Sequence, residues 1–414
     1  MEMMRTVKST LFLAVLTAIV LSGCVMTGPS SGKDKNKIPP QLIFPPPPDE
    51  PRYYFERSIH SSADVTPDTE ADKLRRALTG ERQRGQGMAK PYGIAVHHGR
   101  IFVGDTVLRN VAVFDIPEQK FFRIGEFDDD QGHGKLYMPM GLAVDKTGTL
   151  YVLDAKLQQV IVYDRDGKFL RSIGNPDDIK RPAGIAVDPD GKRVYAVDIG
   201  GSSTESHKIL VYDAVSGQHL FDISKRGTLD GYVNLPRDAD VGLNGDIYVV
   251  DSGNFRVQEF SPDGKFVSKF GAIGRQPGQF SRPKELAHDS HGNIYVVDAA
   301  FGNFQIFDTK GELLLAIGNR SNDDGPALFA LPAGIAIDGD DRIYVVDQYF
   351  RKVDIFRPAA LDEDDGYIGK NAIEKFATGG QAPSSPQPKQ PASNEPGTAA
   401  DQIAPPADPA AAKP

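Results

Sequence analysis

Cysteine is nearly missing from this chain: one residue, Cys24, among 414. A single thiol excludes a disulfide framework and any zinc site built on clustered thiolates. The eight histidines are scattered. Only His97-His98 and His288/His291 lie close together, and neither pair has the i, i+4 spacing of helical metal ligands. No Gly-x-Ser-x-Gly elbow, Gly-rich phosphate loop or Cys–His pairing is present, so the common signatures of nucleophilic and nucleotide chemistry are absent. Positive charge is in deficit as well. The formal balance is −9, and without residues 1–23 (Arg5 and Lys8 against Glu2) the remainder carries −10. Bulk attraction to nucleic acid or anionic lipid is thereby excluded, while a local basic patch is not.

Long apolar runs are also lacking. Residues 11–21 are apolar but too short to cross roughly 30 Å of hydrocarbon comfortably, and with Arg5 and Lys8 before them they read as a signal peptide. Leu21-Ser22-Gly23-Cys24 closes this segment and resembles the lipobox of bacterial lipoproteins. The resemblance implies signal-peptide removal at residue 23, a lipid such as palmitate on Cys24, and anchorage in a bilayer. The alternative is a plain signal peptide with an incidental Cys. Val25 after the Cys, by the same resemblance, favours the outer membrane, with the protein facing the periplasm or the surface.

Residues 24–50 are rich in Gly, Ser, Lys and Pro and read as an extended tether. Residues 378–414, dominated by Ala, Pro, Gln and Ser, are expected to be disordered, and 358–377 form a C-terminal extension. Residues 61–89 read as a linker with a short helix at 68–78, capped by Asp68, with Leu74 and Leu78 on one face.

Between these ends lies a repeat. An aromatic-Val-x-Asp motif recurs at Phe102-Val103-Gly104-Asp105, Tyr151-Val152-Leu153-Asp154, Tyr248-Val249-Val250-Asp251, Tyr295-Val296-Val297-Asp298 and Tyr344-Val345-Val346-Asp347, with the variant Tyr195-Ala196-Val197-Asp198. Successive aspartates are 49, 44, 53, 47 and 49 residues apart, a period that signals solenoids, propellers or arrays. Each copy follows a run such as Pro91-Tyr92-Gly93-Ile94-Ala95-Val96, and an aromatic comes nine residues after most of the aspartates, as at Phe114 and Tyr163. Short apolar runs bounded by Gly and Asp turns are antiparallel strands. Four strands in each of six units predict an all-β, six-bladed β-propeller over residues 90–357.

The Pro-x-Gly-Ile-Ala-Val-Asp and Gly-x-Ile-Tyr-Val-x-Asp segments, with Asn254-Phe255-Arg256, resemble the NHL repeat. Blade one departs from it with His97-His98-Gly99, and blade three carries an insertion at 200–207. The sixth copy runs out after Ile355-Phe356, one strand short. Phe55-Glu56-Arg57-Ser58-Ile59 matches Phe169-Leu170-Arg171-Ser172-Ile173, a fourth strand, so residues 51–60 are expected to close the ring by pairing into the last blade. Tyr367-Ile368 is the alternative source of that strand.

The six repeat aspartates read as scaffold groups that accept backbone N–H bonds from the following loop. Departures from the repeat carry more information. The innermost strand opens Pro-x-Gly in four blades, but Pro236-Arg237-Asp238 in blade four and Pro283-Lys284-Glu285 in blade five. Blade four also places Asp240 where the others keep Ala, and blade five places His288 where the others keep Val or Ile. These six residues form the candidate site at the channel mouth, since unpaired buried charge must pair, meet water or bind something. An ion-pair network between blades is the competing reading. Loops on the same face add Arg109, His207, Phe255, Arg256, Phe301, Tyr349, Phe350, Arg351 and Lys352, a composition suited to a protein or carbohydrate partner.

The expected function is therefore a membrane-anchored binding scaffold for another envelope protein or an extracellular polysaccharide, with no cofactor and no nucleic acid. The alternative is a metal-dependent lyase or hydrolase in the channel, with Asp238, Asp240, Glu285 and His288 as ligands or acid–base groups. Some NHL-type propellers resemble amidating lyases that use channel histidines and a divalent metal, but three histidines at equivalent innermost-strand positions are not found here. RNA binding, known for some animal NHL proteins, is disfavoured by the charge and the export signal.

Overall fold

The computed structural model describes residues 42–378 except 81–84, 128, 130 and 202–205. Cys24, the signal segment, most of the tether and the Pro/Ala-rich tail lie outside the described residues.

Blade one shows how the repeat folds. Pro91 opens the innermost strand, Pro91–His97, where a residue without an N–H is tolerated. Arg100–Asp105, Asn110–Asp115 and Lys120–Ile124 follow in antiparallel order outward. The two middle strands are buried along their whole length, because neighbouring blades cover both faces of the sheet. The outermost strands reach solvent, as Phe169–Ile173 does with its alternating exposure. Aromatic and β-branched side chains fill the gaps between blades: Tyr295, Phe304, Phe329 and Phe356 share one such cluster. Five four-stranded sheets and one five-stranded sheet complete a six-bladed β-propeller.

The ring closes as the sequence predicts. Tyr53–Ile59 pairs antiparallel with Lys352–Pro358, placing Tyr53 opposite Pro358 and Ile59 opposite Val353. A register shift between Phe55 and Arg57 matches the one between Phe169 and Arg171, so the shared Phe-x-Arg-Ser-Ile motif encodes the same bulged strand twice. Glu56 of this strand meets the buried Arg342 at 2.9 Å, and Arg342 also binds Asp340 at 3.1 Å and the Asp365 carbonyl. Tyr367 and Ile368 are not the closing strand. They are buried in the core between blades six and one.

Two local expectations are corrected. Ile43–Phe44, assigned to the tether, pairs outside the closing strand as a fifth member of the sheet, and Phe44 packs edge-on against Phe356. Helix α1 spans Glu70–Thr79 and is capped by Thr69, whose hydroxyl accepts from the Asp72 N–H, while Asp68 pairs with Arg76 instead. Leu74 and Leu78 project into solvent. A second helix, α2, spans Lys370–Ala377. Among the described residues no helix is long and apolar enough to cross a membrane.

Candidate functional site

The repeat aspartates are knots between two loops. Asp347 accepts from Tyr349 and Phe350 N–H with one oxygen, and from Ala330 and Leu331 N–H with the other, all at 2.8–2.9 Å. Asp105, Asp154 and Asp298 repeat the pattern. Asp251 departs from it, taking Asn254, Arg256 and Gln258 side chains on one oxygen. Each carboxylate therefore holds the loop between strands two and three beside the residues that lead into strand one.

A second repeated carboxylate had not been singled out from the sequence. At the end of strand one, Asp145, Asp289 and Asp338 accept the hydroxyls of Tyr151, Tyr295 and Tyr344, at 3.3, 2.9 and 2.6 Å. The repeated Asp six residues after the strand-opening Pro was the available signal. It explains why the Tyr of Tyr-Val-x-Asp is buried with its hydroxyl satisfied. Tyr53 extends one of these links across the ring closure, its hydroxyl 2.6 Å from that of Tyr295.

The innermost strands enclose an axial cavity of about 400 Å³. Its lining begins at the third or fourth residue of each strand (Ile94 in blade one, Asp238 in blade four, Glu285 in blade five) and runs to turn residues Lys146, Leu243 and Ser290, which are exposed. It opens at the face of the turns after strand one, away from the loops between strands two and three. The six channel-mouth residues are thereby divided. Asp238, Asp240, Glu285 and His288 line the cavity, and Arg237 and Lys284 do not. Those two sit half-buried beyond its closed end, with the Lys284 ammonium 5.7 Å from the Tyr92 ring. Burial, with Arg282 and Arg237 nearby, lowers Lys284 to about 8 against the pull of Glu285.

The glycines of Pro-x-Gly explain the floor. A Cβ on Gly334 would lie 2.6 Å from the Tyr92 carbonyl of the next blade, so strands meet too closely there for a side chain. Blades four and five replace that glycine by an acid that bridges the gap. The Asp238 carboxylate accepts from Leu286 N–H of blade five at 3.2 Å, and Glu285 takes the Ile335 N–H of blade six. Burial pushes both carboxyls well above the usual carboxylate range, and Asp238 raises Glu285 further. One level up, His288 Nδ1 lies 2.6 Å from an Asp240 oxygen. Burial alone would depress the imidazole, but the Asp240 carboxylate outweighs it and leaves it raised. Asp238 and Glu285 are thus held by backbone amides and Asp240 by His288. Among the described residues no group of three or more His, Cys, Asp or Glu is placed to hold a metal ion.

The face loops divide too. Arg109, Tyr349 and Arg351 are exposed, and Phe301 is half-buried. Phe255 packs against the core between blades four and five. Arg256 is buried, binding Asp251, Asp230 and the Leu229 and Tyr232 carbonyls, so it is a structural bolt and not a contact residue. Lys352 is likewise consumed by Asp354 and Asp324, and His207 is buried, accepting the Leu235 N–H.

No family model matches the sequence. Over 197 residues it is 27% identical to NHL repeat-containing protein 3 of Mus musculus, a match covering 45% of this chain and 56% of that one. The matched region thus spans little more than half the length of this curated relative. A solved structure of a protein of unknown function from Bacteroides thetaiotaomicron shares the fold, with a TM-score of 0.55 at 13% identity over 73% of this chain and 75% of that one. Virginiamycin B lyase from Staphylococcus aureus has a TM-score of 0.46 at 11% identity, covering 73% of this chain and 98% of that one. The chain is a six-bladed β-propeller whose repeats are similar to NHL repeats.

Proposed function

We propose that the protein is a binding scaffold of the bacterial cell envelope, anchored in a bilayer through lipidated Cys24, that docks an acidic and partly apolar surface of another envelope protein. One observation supports this above the others: the face of the loops between strands two and three is basic on an acidic protein. Lys90, Arg109, Lys156, Arg181, Arg282 and Arg351 are exposed there, and none pairs with a carboxylate among the described residues. The loops at 106–109, 155–158, 252–255, 299–302 and 348–351 contain no acid, the insertion of blade three carries Glu205, and the repeat aspartates beneath these five loops are buried and saturated with N–H bonds. Of the acids on the outer connections at this end, Asp230 is engaged by Arg256 and Lys269 and Asp324 by Lys352, while Asp177 and Asp323 are exposed.

The basic side chains alternate with exposed apolar ones: Val107, Leu108, Tyr137, Met138, Leu235 and Tyr349. Apolar tips beside unpaired Arg make a protein partner a better fit than a polysaccharide, which offers little aliphatic surface to bury. Opposite charge would steer the encounter and make it salt-sensitive.

Site-specific photocrosslinking in cells tests this. A photoreactive residue at Tyr349 should yield a discrete protein adduct that weakens at high salt and is lost when Arg109, Arg282 and Arg351 are changed to Glu. The same probe at Lys310, in a turn at the opposite end, should yield none. Equal adducts from both positions, or none from Tyr349, would remove the docking face.

A further inference from the structure

The axial cavity takes no part in that docking face, and its lining is two-sided. Ile94 of blade one, Leu142 of blade two, Ile185 of blade three and Ile335 of blade six supply one apolar wall. Blades four and five supply Asp238, Asp240, Glu285 and His288 opposite. The volume, about 400 Å³, falls within the roughly 300–1,000 Å³ of small-molecule sites.

Charge decides what such a cavity can take. Six of its lining residues are acids: the three just named and, around the opening, Asp145, Asp289 and Asp338. The opening set is spent on Tyr hydroxyls and turn amides. Lys146 is exposed at the rim and paired with Asp190, while His97 donates its Nε2 proton to the Lys146 carbonyl at 3.2 Å. His288 is committed to Asp240. No lining cation faces Asp238 and Glu285 on the floor; Lys284, outside the lining, acts on Glu285, and the carboxyl oxygens of both acids have more acceptor sites than their backbone amide partners fill.

We propose that the channel binds a small amphipathic cation, its ammonium head on Asp238 and Glu285 and its hydrocarbon body against Ile94, Leu142, Ile185 and Ile335. The apolar wall supplies the affinity of buried area and the paired acids supply selection for charge. Burial raises both floor carboxyls well above the usual carboxylate range, with Asp238 raising Glu285 further. An arriving ammonium favours their ionised form, while the ligand keeps its own proton. An anion meets six acids and is refused. A neutral alcohol of the same length gains the wall but not the ion pair.

Titration calorimetry on the propeller with n-hexylammonium, n-hexanol and hexanoate at pH 7, each in phosphate and in Tris, reads both parts. The ammonium should bind at least about tenfold more tightly than the alcohol, and hexanoate should give no heat, in both buffers. Asp238→Asn with Glu285→Gln should erase the preference for the ammonium while keeping the weak alcohol signal. Arg282→Glu, on the docking face, should leave it intact, so the two sites succeed or fail separately. Equal affinity for alcohol and ammonium, or no binding of the ammonium at millimolar concentration, overturns the proposal on the wild-type protein alone, whether or not the double variant folds.

Discussion

His97 stands in blade one where blades two, five and six carry Asp145, Asp289 and Asp338, and the exchange has a pH consequence. Burial first, then the charges of His98 and Arg165, lowers its imidazole from 6.5 to about 4. Between those values the unfolded chain takes up a proton that the folded chain refuses, so stability is lost as pH falls through that window. Asp338 works the other way. Burial and Asp340 raise it to about 7, so its share of stability is lost as pH rises from the ordinary carboxylate range towards neutral. Comparing His97→Gln with wild type isolates the histidine. The loss of unfolding free energy from pH 7 to 4.5 should be smaller in the variant, by roughly 1 kcal/mol once solvent screening is allowed for. An unchanged loss would mean that His97 is not held neutral by its surroundings. Residues such as Asp238, Asp240, Glu285 and His288 were legible in the sequence because they break a repeat whose other copies state the rule. Which end of the channel they open to was not legible, since alternation along a strand orders side chains without saying where the bore is closed.

At the scale of elements, the closing strand does more than cover an edge. Removing residues 42–60 would leave the outer edge of Lys352–Pro358 unpaired and strip Glu56 from Arg342, a buried cation then left with Asp340 and the Asp365 carbonyl. Breaking a buried ion pair costs about 3–5 kcal/mol, and an uncovered strand edge invites association. The truncated protein should elute as aggregate in size-exclusion chromatography, and a peptide of residues 42–60 added during refolding should restore monomer. A stable truncated monomer would show that the three-stranded blade suffices. This element was readable because Phe55-Glu56-Arg57-Ser58-Ile59 repeats a motif seen inside the ring. The Ile43–Phe44 strand was not, because two apolar residues before a proline run carry no periodicity to detect.

For the whole molecule, charge is distributed by face as well as by sum. The net −9 hides a basic end, since Lys and Arg gather before the innermost strands and in the loops beside them, while acids gather in the opposite turns such as 188–190 and 362–365. Composition cannot show this, as it does not know which loops share an end. If Cys24 carries the lipid, metabolically supplied radiolabelled palmitate should enter the wild-type protein and be absent from Cys24→Ser, with the melting temperature of the propeller unchanged. Labelling that survives the substitution would place the lipid elsewhere.

The pairing of Tyr53–Ile59 with Lys352–Pro358 also fixes an order of events. The first strand of the propeller to leave the ribosome needs the last one, with Ser58 bonded to Asp354 across 296 positions of chain. Closing so long a loop is slow, because chain entropy must be spent before any contact rewards it. Until that last strand is made the first is an adhesive edge with nothing to hold, and the ring becomes safe all at once. A cell making this protein must keep those two strands apart from other chains until the sixth blade is complete.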